Sequence, residues 1–144
     1  MDKFKRLRIF NLIMGLFHLI QGVVVLLISD PEKGVVPITI NYLKYDVSLQ
    51  KLLPATEQIG EANIAWFVAI FFFMSAFAHL FISTVYRKRY EENLKLGINK
   101  VRWYEYALSA SVMMIAISFL SGIYDLSSLV MIFTLDALMN LTGL

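Results

Sequence analysis

The sequence predicts an all-α integral membrane protein with four transmembrane helices and one long loop between the first and second. Three observations lead there. Hydrophobic residues make up 58% of the 144 positions, the mean hydropathy is +0.66, and the apolar residues gather into stretches that match a bilayer core, which a helix crosses in roughly 20 residues. Lipid offers no partner to a free amide, so helices that close their own hydrogen bonds are the economical form.

The first stretch, 9–28, follows Lys3, Lys5, Arg6 and Arg8. It is long for a secretory signal and lacks a small-residue cleavage pattern, so it reads as a retained helix. The connection at 29–60 carries Lys33, Lys44 and Lys51 against Asp30, Glu32, Asp46 and Glu57. Within it, 35–49 is rich in Val, Ile, Thr and Tyr with partial alternation and is bounded by Pro31, Gly34 and Pro54, which predicts a β-hairpin. The second span is expected at 62–85, the third at 101–123 and the fourth at 126–144.

Basic residues set the orientation. Besides the four before the first span, Arg87, Lys88, Arg89, Lys95, Lys100 and Arg102 occupy or edge the connection between the second and third spans. Both segments are therefore expected in the cytoplasm, with the amino terminus there, the long first loop extracellular, and the chain a multi-pass protein of the cell membrane. Four crossings return the carboxyl end to the cytoplasm, yet no Lys or Arg follows Arg102. A last span without a polar anchor is expected of one piece of a longer protein, so 1–144 is read as a single membrane domain, truncated.

Composition also excludes. Without cysteine there are no disulfides, thiolate metal sites or cysteine nucleophiles. The net charge of +2 is small and its basic residues flank the spans, so nucleic-acid binding has no support. No motif carries enzyme chemistry, and no metal site is assigned.

Ionisable groups inside spans cost about 2.5 to 3.5 kcal/mol each at a helix centre, so each is a candidate functional residue. They are His18, His79, Glu105 and Asp136. At about 1.5 Å rise per residue, His18 lies ~14 Å from the cytoplasmic end of its span, His79 ~9 Å and Glu105 ~6 Å. Helical spacing puts Asn11, His18 and Gln21 on one face, Ser75, His79 and Ser83 on another, and Arg102, Glu105 and Ser109 on a third. The histidines read equally as polar glue across the bundle. Glu105 reads as a functional carboxylate helped by Arg102, or as an interfacial one paired with Arg102 near the headgroups. Asp136 has no basic neighbour, and a protonated side chain bonded to Ser109, Ser111 or another hydroxyl is its expected state. Phe71, Phe72, Phe73, Met113 and Met114 suit an apolar ligand pocket, lipid or packing.

The run Arg102-Trp103-Tyr104-Glu105-Tyr106, continued by Ala107-Leu108-Ser109-Ala110-Ser111-Val112-Met113, resembles the counterion helix of heliorhodopsins. More distantly it is similar to the Arg-aromatic-X-Asp-Trp pattern of other microbial rhodopsins. Phe17-His18-Leu19-Ile20-Gln21 and Ser75-Ala76-Phe77-Ala78-His79 carry the same resemblance on the first two spans. A cytoplasmic amino terminus and a long outward first loop, often a β-ribbon reaching a partner subunit, are features of that family.

The resemblance implies the first four helices of a seven-helix bundle, a light-sensing, non-pumping photoreceptor with all-trans-retinal as chromophore, and a homodimer. Glu105 would be the Schiff-base counterion. Arg102, Tyr106, Ser75, Ser109, Met113 and Asp136 would line the retinal pocket or its surroundings, and His18, Gln21 and His79 a cytoplasmic-side polar cavity. The position eleven residues after Glu105, where pumps commonly keep a proton donor, is Ala116. The family's retinal lysine lies on the seventh helix and no span here contains a lysine, so helices five to seven must come from the rest of the protein or another chain. Two other functions compete: a small proton-coupled transporter using Glu105 with His18 and His79 as relays, and a non-catalytic membrane adaptor in which every buried polar residue is structural.

Overall fold

A computed structural model describes residues 3–144. Five helices and a two-stranded ribbon follow one another as α1 (Lys3–Ile28), β1 (Val35–Asp46), β2 (Lys51–Asn63), α2 (Ile64–Ser83), α3 (Arg87–Lys95), α4 (Lys100–Leu120) and α5 (Leu126–Leu141). Helices α1, α2 and α4 are long and apolar enough to cross a membrane, while α5, also apolar, is shorter at 16 residues. At about 1.5 Å per residue the three long helices span ~30 to 39 Å and α5 ~24 Å.

The long helices pack as antiparallel neighbours, α1 on α2, α2 on α4 and α4 on α5. Close approach of α1 to α2 depends on two glycines one heptad apart. A Cβ at Gly15 would lie 2.9 Å from Leu80 Cγ, and one at Gly22 would lie 2.6 Å from the Phe73 ring. Small residues at such a seam let backbones approach where lipid gives no hydrophobic drive to association. One end of the bundle carries the basic residues of α1 and α3; the ribbon occupies the other.

The sequence predicted a short hairpin at 35–49, and the observed ribbon is about twice that. β2 runs through Pro54 and Gly60, which read as boundaries, and takes Ala62 and Asn63 from the expected second span. β2 is an edge strand of a two-stranded ribbon, where a proline whose missing N–H faces outward costs nothing to the ladder. Register jumps between Ile38 and Thr39, pairing Ile38 with Gly60 and Thr39 with Gln58. At this bulge Thr39 N–H donates to Tyr124 O at 2.9 Å and Asn41 Nδ2 donates to Asp125 Oδ1 at 3.1 Å, tying the ribbon to the α4–α5 connection. Beneath it lies a buried apolar cluster, Ile115, Phe119 and Leu129, joined by Ile38, Phe67 and Phe133.

Helix ends follow capping chemistry. The Asn63, Asn99 and Asp125 side chains accept from the backbone amides of Ala65, Arg102 and Ser128 at the starts of α2, α4 and α5. The expected limits shift accordingly: α1 begins six residues earlier than 9, α2 ends at Ser83 rather than 85, α4 at Leu120 rather than 123, and α5 at Leu141 rather than 144. Gly122, with φ +81°, stands in the bend after α4. Helix α3 was read only as a charged connection. Its sequence RKRYEENLK is polar except for Tyr90, which is 9% exposed, and Leu94.

Candidate functional site

Glu105 sits on the second turn of α4, facing α2. Its Oε1 accepts two hydroxyl hydrogen bonds, from Ser75 on α2 and from Ser109 one turn further along α4, each at 2.8 Å. Both serines are buried, at 7% and 2% exposed. The expected pairing of Glu105 with Arg102 is not formed: among the described residues the ion pairs are Lys33–Asp30 and Arg87–Glu91. The Arg102 guanidinium instead lies over the Tyr106 ring, 5.2 Å from its centroid, a cation–π placement that keeps its charge at the surface. The carboxyl group is thus held by two hydroxyl donors.

Glu105 forms part of the wall of a cavity of about 360 Å³ at the basic end of the bundle, together with Asn11, His79, Tyr90, Asn99 and Arg102. His79 Nδ1 and Asn11 Oδ1 are 2.9 Å apart, and His18 Nδ1 and Gln21 Oε1 are also 2.9 Å apart. An amide oxygen only accepts, so with these amide orientations each imidazole donates from Nδ1 and keeps Nε2 for another partner. The two rings stack with centroids 5.5 Å apart, and His18 stacks in turn on Phe72 at 6.0 Å. Three helices thus bring a carboxyl group, two imidazoles, two carboxamides and two hydroxyls into one polar seam. Glu105, His79 and Asn11 share the cavity wall, while His18 and Gln21 lie outside it, joined through the stacked rings. On its other side Glu105 borders an apolar groove between α2 and α4 of about 420 Å³, lined by Phe73, Phe77 and Leu108.

The remaining predicted residues divide. Tyr106 lines the polar cavity beside Arg102. Asp136 belongs to a separate cluster: its Oδ2 is 3.1 Å from Ser111 Oγ and accepts from Asn140 Nδ2 at 3.2 Å. Ser111 is two residues past Ser109, so it points to the opposite side of α4. Of the two hydroxyls expected for Asp136, Ser111 is the one it meets. Met113 is half-buried on α4 and lines neither the cavity nor the groove. Sequence reasoning missed Tyr90 and Asn99. The signal for Tyr90 was one aromatic ring inside a run of charges; Asn99 was legible only as a helix cap.

The fold and the seam define a multi-pass helical membrane protein with a polar site buried between its helices. The chain matches the family model described as Heliorhodopsin over residues 7–144, and it belongs to the heliorhodopsin family. Membership places it among the rhodopsins, whose chromophore is retinal. No curated protein matches the chain.

The residues present fit one side of a retinal site. A carboxylate held only by hydroxyls, with no cation bonded to it, has the chemistry to face a cationic imine. The covalent side is not among them, because Lys3 and Lys5 lie in the first turns of α1, Lys88 and Lys95 on α3, Lys100 at the start of α4, and Lys33, Lys44 and Lys51 in or beside the ribbon.

Proposed function

We propose that this chain is the counterion-bearing part of a light-sensing, non-pumping retinal photoreceptor, in which Glu105 is the counterion. The observation that carries the reading is the double hydroxyl grip of Ser75 and Ser109 on one oxygen of Glu105, with no cation among the described residues bonded to that carboxyl group. Retinal, when bound, supplies the light absorption and a cationic imine. Ser75 and Ser109 fix the carboxyl group by donating to Oε1, which would leave Oε2 for the imine. His79 and His18, relayed by Asn11 and Gln21, give the seam acceptors for a proton on the same side. Ala116, buried and without a titratable group, leaves the usual donor position of a pump empty of proton chemistry.

In this reading 1–144 is one membrane domain, α1, α2, α4 and α5 are four spans, the basic end is cytoplasmic and the ribbon extracellular. The protein works as a homodimer, and helices five to seven with the retinal lysine come from the remainder of the protein or from another chain. The ribbon's exposed Tyr45, Val47, Leu49 and Leu52 suit a protein contact at the outer surface.

The test is a visible absorption spectrum after expression with all-trans-retinal, for this chain alone and for this chain with the downstream coding sequence or a second chain that supplies the missing helices. A pigment that forms only in the completed protein supports the reading. No pigment in either sinks it and brings forward the second reading, a proton carrier built on Glu105 and the stacked imidazoles. That reading requires proton flux in liposomes that Glu105→Gln abolishes.

A further inference from the structure

The face of α1 that turns away from α2 meets the end of α3 in an open crevice of about 700 Å³ at the basic end of the bundle, lined by Lys3, Arg6, Ile9, Phe10, Ile13 and Leu94. We propose that this crevice binds an anionic phospholipid, its phosphate on Lys3 and Arg6 and an acyl chain along Ile9, Phe10 and Ile13.

The composition of the crevice changes along α1 in the way such a molecule does. Its mouth holds two exposed cations, and neither forms an ion pair among the described residues. Beside them Lys95 Nζ stands 5.4 Å from the centroid of the Phe4 ring, which brings a third positive charge to the mouth and pins the end of α3 against α1. Below the mouth the wall is wholly apolar, with Phe10 56% and Ile13 60% exposed. From Lys3 to Ile13 the helix rises ~15 Å, half of the ~30 Å hydrocarbon core. The crevice therefore has the depth of one leaflet, with its charge where headgroups lie.

The guanidinium of Arg6 offers paired donors to phosphate oxygens and Lys3 a compact charge. A free phosphate shares that chemistry but has no use for the apolar floor, so the occupant is a lipid. The proposal rests on the chain spanning a membrane and is independent of retinal.

The protein is reconstituted in phosphatidylcholine nanodiscs containing a trace of spin-labelled phosphatidylglycerol or spin-labelled phosphatidylcholine, and the motionally restricted fraction of each gives their relative association constant. Phosphatidylglycerol is expected to be preferred. The Lys3→Gln/Arg6→Gln variant lowers that preference about 25-fold, at about fivefold for each cation near an anionic surface. Lys88→Gln/Arg89→Gln, which removes the same charge from the exposed face of α3, changes it less than twofold. Leu94→Trp keeps both cations, fills the crevice and also lowers the preference. Equal losses in the two charge variants, or no effect of Leu94→Trp, would reduce the crevice to part of a general positive potential and overturn the proposal. Competition by millimolar inorganic phosphate as strong as that by unlabelled phosphatidylglycerol overturns it as well. A chain that fails to enter the discs indicts the membrane reading instead.

Discussion

Ser75 on α2 and Glu105 on α4 are joined by a 2.8 Å hydroxyl-to-carboxylate hydrogen bond 30 residues apart in sequence. Ser109 on the same helix as Glu105 reaches the same oxygen, so the carboxylate is fixed in direction by its own helix and tied to the next.

Removing either donor tests that tie. Ser75→Ala is expected to cost about 1 kcal/mol, the scale of a hydrogen bond between membrane helices. A double-mutant cycle of Ser75→Ala with Glu105→Gln, read by unfolding in detergent, should return a coupling of about 0.5 to 1.5 kcal/mol. A coupling indistinguishable from zero would mean the two side chains do not meet.

If Glu105 is the counterion as proposed, Glu105→Gln in a completed pigment removes the negative charge that would stabilise the ground-state imine. The absorption maximum should move to longer wavelength, or the pigment should fail to accumulate at neutral pH. An unchanged spectrum with full pigment yield places the counterion elsewhere.

The seam between α1 and α2 predicts an asymmetry among glycines. Gly22→Ala pushes a methyl group to within 2.6 Å of the Phe73 ring, whereas a Cβ at Gly60 on β2 meets nothing within 4 Å. Gly22→Ala should destabilise by about 1 to 3 kcal/mol, and shortening the ring by Phe73→Leu in the same chain should recover part of that. Gly60→Ala is expected to change unfolding little, and equal effects at both glycines would contradict the close seam.

Asp125 gives the ribbon junction a pH dependence. Its carboxylate accepts from the Ser128 amide and hydroxyl at the start of α5 and from Asn41 on β1. The Ser128 backbone N–H is the largest cause holding its pKa below the ordinary 3.8. A carboxyl whose folded pKa is lowered stabilises the folded state above its unfolded value, and that contribution disappears as pH falls through the lower folded value. Protection of the Thr39 amide against hydrogen exchange should therefore be full above the ordinary carboxyl value of 3.8 and weaken as the pH falls below it. Asp125→Asn, which keeps an acceptor oxygen for the helix cap, should flatten the dependence, and an acid response identical to that of the parent chain would exclude Asp125 as its source.

The sequence by itself determined the membrane class, the approximate spans and the polar residues within them, because the hydrocarbon core imposes length and apolarity on any segment that crosses it. It also placed Glu105 and Ser109 on one face, since helical spacing is a local property. Neither Ser75 nor His79 could be set against a partner by spacing alone, because those contacts cross between helices, and that of His79 with Asn11 depends on how closely Gly15 and Gly22 let the α1–α2 seam close. Arg102 was expected to pair with Glu105 from proximity in the chain; packing beside Tyr106 turned it outward, where its charge stays hydrated. The second strand was hidden by Pro54 and Gly60, tolerated because β2 is an edge strand of a two-stranded ribbon. Tyr90 and Asn99 reach the cavity because α3 folds back beneath the bundle, an arrangement that no local pattern encodes. What is local, periodicity, capping and charge at the bilayer boundary, could be read along the chain. What brings side chains from different helices to one carboxylate was decided by tertiary packing, where the gain of a contact depends on every neighbour that allows it.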